Sequence, residues 1–297
     1  MSRRRLVVAS LCAALAAWAM QSDDRIRVAT FNIEMFPRLS TDRAAVAQTI
    51  AEIDADVLAI QEIVDADALR RVLAEASREH GRDWQLVVGA CGGDRLRVTT
   101  GIAWDASRVE LVEARSFPGL MPGGNGECGR DQTATLAVVE TAAEHRLAVL
   151  SVHLAPFPER FDERKLQWPR VLAILADAEA RWDAEAIALG DYNTTGFSTK
   201  PSEEREFVDD VVARAGMELL TGELECTEYW QPVPPFSDVV PSLLDHAVTT
   251  GGDWDAPRVM GLCARLRCER TARPAMDPQW RSVSDHCPVV LDGALAD

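Results

Sequence analysis

Ten polar residues stand where an apolar, strand-like run begins or gives out. Asn32 and Glu34 follow VATF, Gln61 and Glu62 follow DVLAI, and His153 ends LAVLSVH. Asp191 and Asn193 follow AIALG, Asp245 lies within SLLDHAVTT, and Asp285 and His286 precede CPVVL. A carboxylate beside an apolar strand is costly to strip of water unless it is paired or bound to a cation. Several of them from distant parts of one chain therefore point to a single polar site at one edge of packed sheets. The single residue between Asp191 and Asn193 lets both side chains reach the same side of a strand end. Each residue also has a plainer reading. Asn32 is a turn former, and Asp191 with Asn193 an Asx turn. Gln61 and Glu62 are caps of the next helix, His153 is a satisfied core histidine, and Asp285–His286 is a surface pair. His246 falls on the opposite strand face from Asp245 and is read as structural.

The fragments TFNIE, AIQEI, SVHLAP, ALGDYN, LLDHAVT and SVSDHCPVV run in order from residue 30 to residue 290. In that order the chain resembles the endonuclease/exonuclease/phosphatase superfamily, the group that includes pancreatic-type deoxyribonuclease, and within it a secreted bacterial-type member. The resemblance implies an α/β fold: a four-layer α/β/β/α sandwich of two mainly antiparallel sheets flanked by helices, with a metal site where the sheets face each other. It implies Mg²⁺, or Mn²⁺ or Ca²⁺, held by Glu62 as principal ligand with Asn32 and Asp285. A hard cation that keeps several waters needs only one or two protein carboxylates. Asp191 would orient or deprotonate the attacking water, and Asn193 would hold a phosphate oxygen. His286, fixed and charged by Asp245, would lie against the phosphate. His153 would protonate the leaving oxygen or stabilise its charge. Arg130 in GRDQTATL is a phosphate contact or a surface salt bridge, and Glu34 a carboxylate behind the metal ligands. Where the deoxyribonuclease branch pairs its histidine with an acid, VTTGIAW offers only threonines.

The elements that must position these residues alternate between short strands and amphipathic helices. Strands are expected at 26–32, 56–61, 84–89, 98–104, 109–114, 133–140, 146–153, 186–190 and 287–291. Thr41 and Asp42 cap a helix carrying Val46, Ile50 and Ile53, and Asp65 and Asp67 precede another. Glu159 to Trp182 reads as one long helix kinked at Pro169, and 203–215 as a further helix. Residues 226–230 and 243–249 read as paired strands joined by QPVPPFSDVVPS. Strands with helices interspersed in both halves suggest stacked sheets covered by helices. No repeat or linker divides the chain, so 20–297 is read as one domain.

Arg3 to Arg5, an uncharged stretch from Leu6 and Ala17-Trp18-Ala19 make residues 1–19 a secretory signal. The competing reading is a short membrane anchor, for which the stretch is too brief. The product is expected to be secreted or periplasmic and monomeric, with no stable membrane anchor. The formal charge of −16 becomes −19 once those three arginines leave. Such a surface favours solubility and gives no non-specific grip on polyanions, though bound cations and local arginines can reverse the potential within one cleft. Of seven cysteines, Cys12 leaves with the signal, and an even six remain. In an exported chain these imply disulfides, and Cys263 with Cys268 could close a small loop. No cysteine spacing suits structural zinc.

The expected activity is metal-dependent hydrolysis of a phosphate ester by a water attacking in line with the leaving alcohol. Nucleic acid is the first-choice substrate. The alternatives are a phospholipid or sphingomyelin phosphodiesterase, a small-molecule phosphatase, or an inactive secreted binding module. A membrane-acting member would expose an apolar loop, for which Pro232–Pro241 is the candidate. Tyr229, Trp230 and Phe236 are read as strand packing rather than a base-stacking platform.

Overall fold

Alternation along the first strand sends Ile26, Val28, Thr30 and Asn32 to one face and Ala29, Phe31 and Ile33 to the other, and both faces are buried. A strand buried on both sides must lie inside a layered fold, and it does. The computed structural model describes residues 25–92, 97–122, 133–195, 202–231 and 238–295. One sheet contains β1 (Arg25–Phe36), β2 (Val57–Ile63), β3 (Trp84–Val88), β4 (Thr99–Asp105), β13 (Asp253–Trp254), β14 (Arg258–Val259) and β15 (Val289–Ala294). Its order is β13-β15-β1-β2-β4-β3, with β14 also against β15. The second contains β5 (Val109–Phe117), β6 (Ala134–Thr141), β7 (Arg146–His153), β8 (Glu185–Asp191), β9 (Glu218–Leu219) and β12 (Asp245–Thr249), in the order β5-β6-β7-β8-β12-β9. Each sheet has one parallel pair, β1 with β2 and β7 with β8, among otherwise antiparallel neighbours.

Three apolar layers hold the sandwich. Val28, Val57 and Ala59 meet Val149, Ile187, Leu189 and Ala247 between the sheets. Helices α1 (Arg43–Ile53) and α2 (Ala66–His80) cover the outer face of the first sheet through Val46, Ile50, Leu69 and Val72. Helices α3 (Phe161–Trp182) and α4 (Glu203–Arg214) cover the second through Trp168, Val171, Val208 and Val212. The four-layer α/β/β/α arrangement is the expected one. Asp42 caps α1 by accepting from the Ala44 and Ala45 amides, and Asp65 caps α2 through the Ala68 amide. α3 runs unbroken to Trp182 with Pro169 inside it, after a 3₁₀ turn at Pro158–Arg160.

Two expectations are corrected. Residues 243–249 do not pair with 226–230: β10 (Glu228–Trp230) pairs with β11 (Val240–Ser242), and Asp245–Thr249 is drawn into the second sheet between β8 and β9. All five residues of β12 are buried, which a two-stranded surface ribbon cannot provide. Cys263 and Cys268 do not join each other. Cys263 on α5 (Gly261–Leu266) pairs with Cys287, and Cys268 pairs with Cys226. Together they form a small core with Tyr229, Val239 and Trp280 of α6 (Gln279–Ser282). Cys91 is disulfide-bonded as well, and Cys128 lies outside the described residues. Residues 1–19 and Phe236 also lie outside them. Among the described residues no helix is long and apolar enough to cross a membrane.

Candidate active site

Strand register alone brings the second sheet's polar residues together. β7 runs parallel to β8 with His153 opposite Asp191, and β12 runs antiparallel to β8 with Asp245 opposite Asp191. Three residues far apart in sequence thus form a row across one strand end, facing the first sheet. Gly190 permits this close approach. It has φ +154°, and a Cβ there would lie 2.0 Å from the Val152 carbonyl oxygen. On the facing sheet, Asn32 lies opposite Gln61 and Glu62 follows directly. Beneath the row, a polar seam joins the sheets. Thr30 donates to Gln61 Oε1 at 3.1 Å, Gln61 Nε2 donates to Ser151 Oγ at 3.0 Å, and Ser151 Oγ donates to the Ile60 carbonyl.

Both strands of the first sheet break register at the site, β1 after Asn32 and β2 after Ile60. Glu34, Met35 and Glu62 all have positive φ there, as does Asn193 opposite. A residue with a Cβ is strained in that conformation by roughly 1–3 kcal/mol, and such residues persist only where their surroundings hold them. Here side chains do the holding. The Met35 amide donates to Glu62 Oε2 at 2.8 Å, the Glu34 amide to Asn32 Oδ1 at 3.0 Å, and the Asp285 amide to Glu34 Oε2 at 3.1 Å.

Asp191 lies at the centre. Its Oδ2 accepts from Asn32 Nδ2 at 3.0 Å and lies 3.5 Å from His153 Nε2 and 3.7 Å from His286 Nε2. Its Oδ1 accepts from the Asn193 amide at 2.8 Å. Burial pushes its carboxyl up to about 6 against the pull of the two histidines. His286 Nδ1 lies 2.8 Å from Asp245 Oδ2. Burial opposes the charged ring, but Asp245 and Asp191 outweigh it and raise His286 well above the ordinary histidine range. Asn193 Nδ2 donates to the Leu154 carbonyl, tying the residue after His153 to the GDxN turn. His153 Nε2 also lies 3.8 Å from Glu62 Oε1, so its carboxylate neighbours are Glu62 and Asp191 rather than any acid on β4. There Thr100 instead contacts Thr135, hydroxyl to hydroxyl at 2.8 Å.

The donor set fits a cation. Ligand atoms of Glu62, His153 and Asp191 all lie within 4.8 Å of one another. Asp285 adds a further buried carboxyl, raised by burial despite His286 and further by Glu62. Asp285 Oδ1 and Asp245 Oδ1 are buried without a hydrogen-bond partner, acceptors that a cation or a donating water would satisfy.

Of the expected site residues, the structure brings together Asn32, Glu62, His153, Asp191, Asn193, Asp245, Asp285 and His286, and Arg130 lies outside the described residues. Three participants went unread in the sequence. Glu228, 2% exposed, bridges in register to His286 and has an unpartnered Oε2. Burial, then Asp285, Asp191 and Asp245, raise it well above the carboxylate range against His286. Its only signal was an acid inside the strand-like run TEYW. Arg164 and Arg38 gave none: Arg164 pairs with Glu204, 40 residues on, and Arg38 turns back onto Glu34 from a loop with no regular period. His246 is structural as expected, its ring nitrogens 2.7 Å from Thr194 Oγ1 and 3.0 Å from Thr221 Oγ1. Burial drives it down to about 3.

Two packed sheets thus gather a cluster of carboxylates, amides and imidazoles at their shared edge. The model of the Endonuclease/Exonuclease/phosphatase family matches residues 29–286, and the chain belongs to that family, whose members are metal-dependent phosphoric ester hydrolases. It is similar to the human Nocturnin catalytic domain with bound sulfate, at 15% identity and TM-score 0.65, covering 92% of this chain and 95% of that one. It is similar to D. rerio TDP2 complexed with single-strand DNA product, at 18% identity and TM-score 0.62, covering 91% and 98%. A mannosyl-6-phosphatase from Bacteroides thetaiotaomicron is similar at 13% identity and TM-score 0.62, covering 90% and 98%. No curated protein sequence matches the chain.

Proposed function

We propose that the chain is an exported, Mg²⁺-dependent phosphodiesterase acting on nucleic acid. The observation that carries this reading is the Asp191 centre, where one buried carboxylate meets both histidines and the Asn32 amide. Mg²⁺ prefers oxygen over imidazole donors, which favours the Glu62 and Asp285 side with Asn32 alongside. A cation there supplies Lewis-acid neutralisation of the phosphate's charge. Asp191 accepts the proton of the attacking water. Asn193, whose Nδ2 has one hydrogen beyond that given to Leu154, holds a phosphate oxygen. His286, kept cationic by Asp245, donates to the phosphate as charge builds, and His153 protonates the leaving oxygen.

Nucleic acid is preferred over a sugar phosphate because of an exposed aromatic pair. Phe157, four residues after His153, and Trp230, two after Glu228, are 49% and 43% exposed, with ring centroids 6.4 Å apart. Exposed rings flanking a phosphate site suit base stacking. Tyr229, by contrast, is core, as the strand-packing reading expected, whereas the exposure of Trp230 runs against that reading. The apolar loop sought for a lipid substrate has little exposed among its described residues: Val239 is buried and Val240 half-buried. Export is supported by the disulfides.

The test is a panel of plasmid DNA, RNA, sphingomyelin and a simple phosphomonoester, each with and without chelator. Chelator-sensitive cleavage of nucleic acid is expected. Full turnover in excess chelator would overturn the metal reading, and preference for sphingomyelin or the monoester would overturn the substrate.

A further inference from the structure

Arg38 comes from a tight loop beyond β1 and turns back into the metal side of the site. Its guanidinium pairs with Glu34, and its Nη2 donates to the Arg281 carbonyl at 3.0 Å. Glu34 in turn accepts the Asp285 amide, and the neighbouring Met35 amide holds Glu62. The side chain is only 13% exposed, so it is committed to this place rather than waving at the surface. Burial lowers its pKa, while Asp285 and then Glu62 raise it, which places both carboxylates within electrostatic reach.

Three carboxylates, Glu34, Glu62 and Asp285, therefore share one built-in cation. Their charge less that of the guanidinium is two negatives, the charge that one divalent ion neutralises. We propose that Arg38 is the permanent counter-cation of the Glu34–Glu62–Asp285 cluster, restricting the centre to a single divalent ion and weakening its hold on that ion. A second ion would have to share the cluster with a guanidinium it repels. Arg38 is a positioning residue in this account: it sets metal number and affinity without touching substrate. The inference rests on the metal reading given above.

The experiment is Mn²⁺ titration of the full chain, followed by calorimetry and electron paramagnetic resonance, without substrate. The wild type should take one Mn²⁺. Arg38→Met should bind at least about tenfold tighter or take a second ion, the scale of removing one charge beside an ion in partly screened surroundings. Arg38→Lys, which keeps the charge, should stay near wild type. Should Arg38→Met fail to fold, Glu34→Gln, which removes one negative charge and leaves the arginine, should bind about tenfold more weakly. Wild-type stoichiometry and affinity in Arg38→Met overturn the proposal, as does Arg38→Lys behaving like Arg38→Met or unchanged binding in Glu34→Gln. A raised KM with unchanged Mn²⁺ binding in Arg38→Met makes Arg38 a substrate contact and also overturns it. A wild type that binds no Mn²⁺ refutes the metal reading itself.

Discussion

The two oxygens of Asp191 face the Asn32 amide, the Asn193 backbone and the ring nitrogens of both site histidines. A carboxylate held this way has one orientation, and burial has already moved its proton affinity toward neutrality, up to about 6. A base must be deprotonated to work, so turnover should fall about tenfold per pH unit below roughly pH 6, and fall again only well above the ordinary histidine range, where His286 loses its proton. A rate profile flat down to pH 5 would show that Asp191 is not the base. Asp191→Asn should lower the rate by about 10²–10⁴. Asp245 and His286 are joined at 2.8 Å, and the raised basicity of the ring depends on that neighbour. Alanine at either position should reduce turnover strongly, and the double variant should be little worse than the worse single, because groups acting as a unit are non-additive. Additive losses would separate them and return Asp245 to a structural part. These residues were legible in the sequence because each stands at the end or edge of an apolar run. Glu228 was not, since its importance lies in the register that sets it against His286.

At the scale of elements, α3 and α4 do more than cover a sheet. Arg164, fully buried on α3, pairs with Glu204 of α4 at 2.6 Å. It also donates to the Ala155 and Phe157 carbonyls and to Thr195 Oγ1. One guanidinium thereby fixes the loop after His153 and the loop after Asn193. Arg164→Met would leave Glu204 buried without its cation, and should destabilise the fold by about 3–5 kcal/mol, measured from the midpoint of urea unfolding. Replacing both partners with apolar residues should recover much of that loss. If the single change lowers stability by less than about 0.5 kcal/mol, the pair is incidental. Helix periodicity marked α3 as amphipathic, yet it could not distinguish a buried arginine from an exposed one on the same helix.

At the scale of the whole molecule, the acidic surface and the catalytic edge follow different rules. A chain of formal charge −16 carries no general attraction for polyanions. Attraction of a phosphate ester therefore falls to the cleft, where His286 is held cationic. The disulfides Cys226–Cys268 and Cys263–Cys287 anchor the segment next to that cleft: Cys287 adjoins His286, and the Cys287 amide donates to the Thr227 carbonyl. Thr227 Oγ1 in turn accepts the Leu244 and Asp245 amides. The bridges thus lock the strand of Glu228 to the dyad beside it.

The stacked sheets covered by helices and the polar residues gathered at one sheet edge were determined by the sequence alone, because strand and helix periods and the polar residues at strand ends are local properties of the chain. Tertiary structure decided the rest. Whether 243–249 joined the ribbon or the second sheet depended on which surface could bury both of its faces, and the place between β8 and β9 does so. Which cysteines met depended on how α5 packed against the segment after His286, not on their spacing. The same packing turned Glu228, Arg164 and Arg38 from unremarked charges into parts of the site, since a charge gains meaning from the partners that desolvation forces on it.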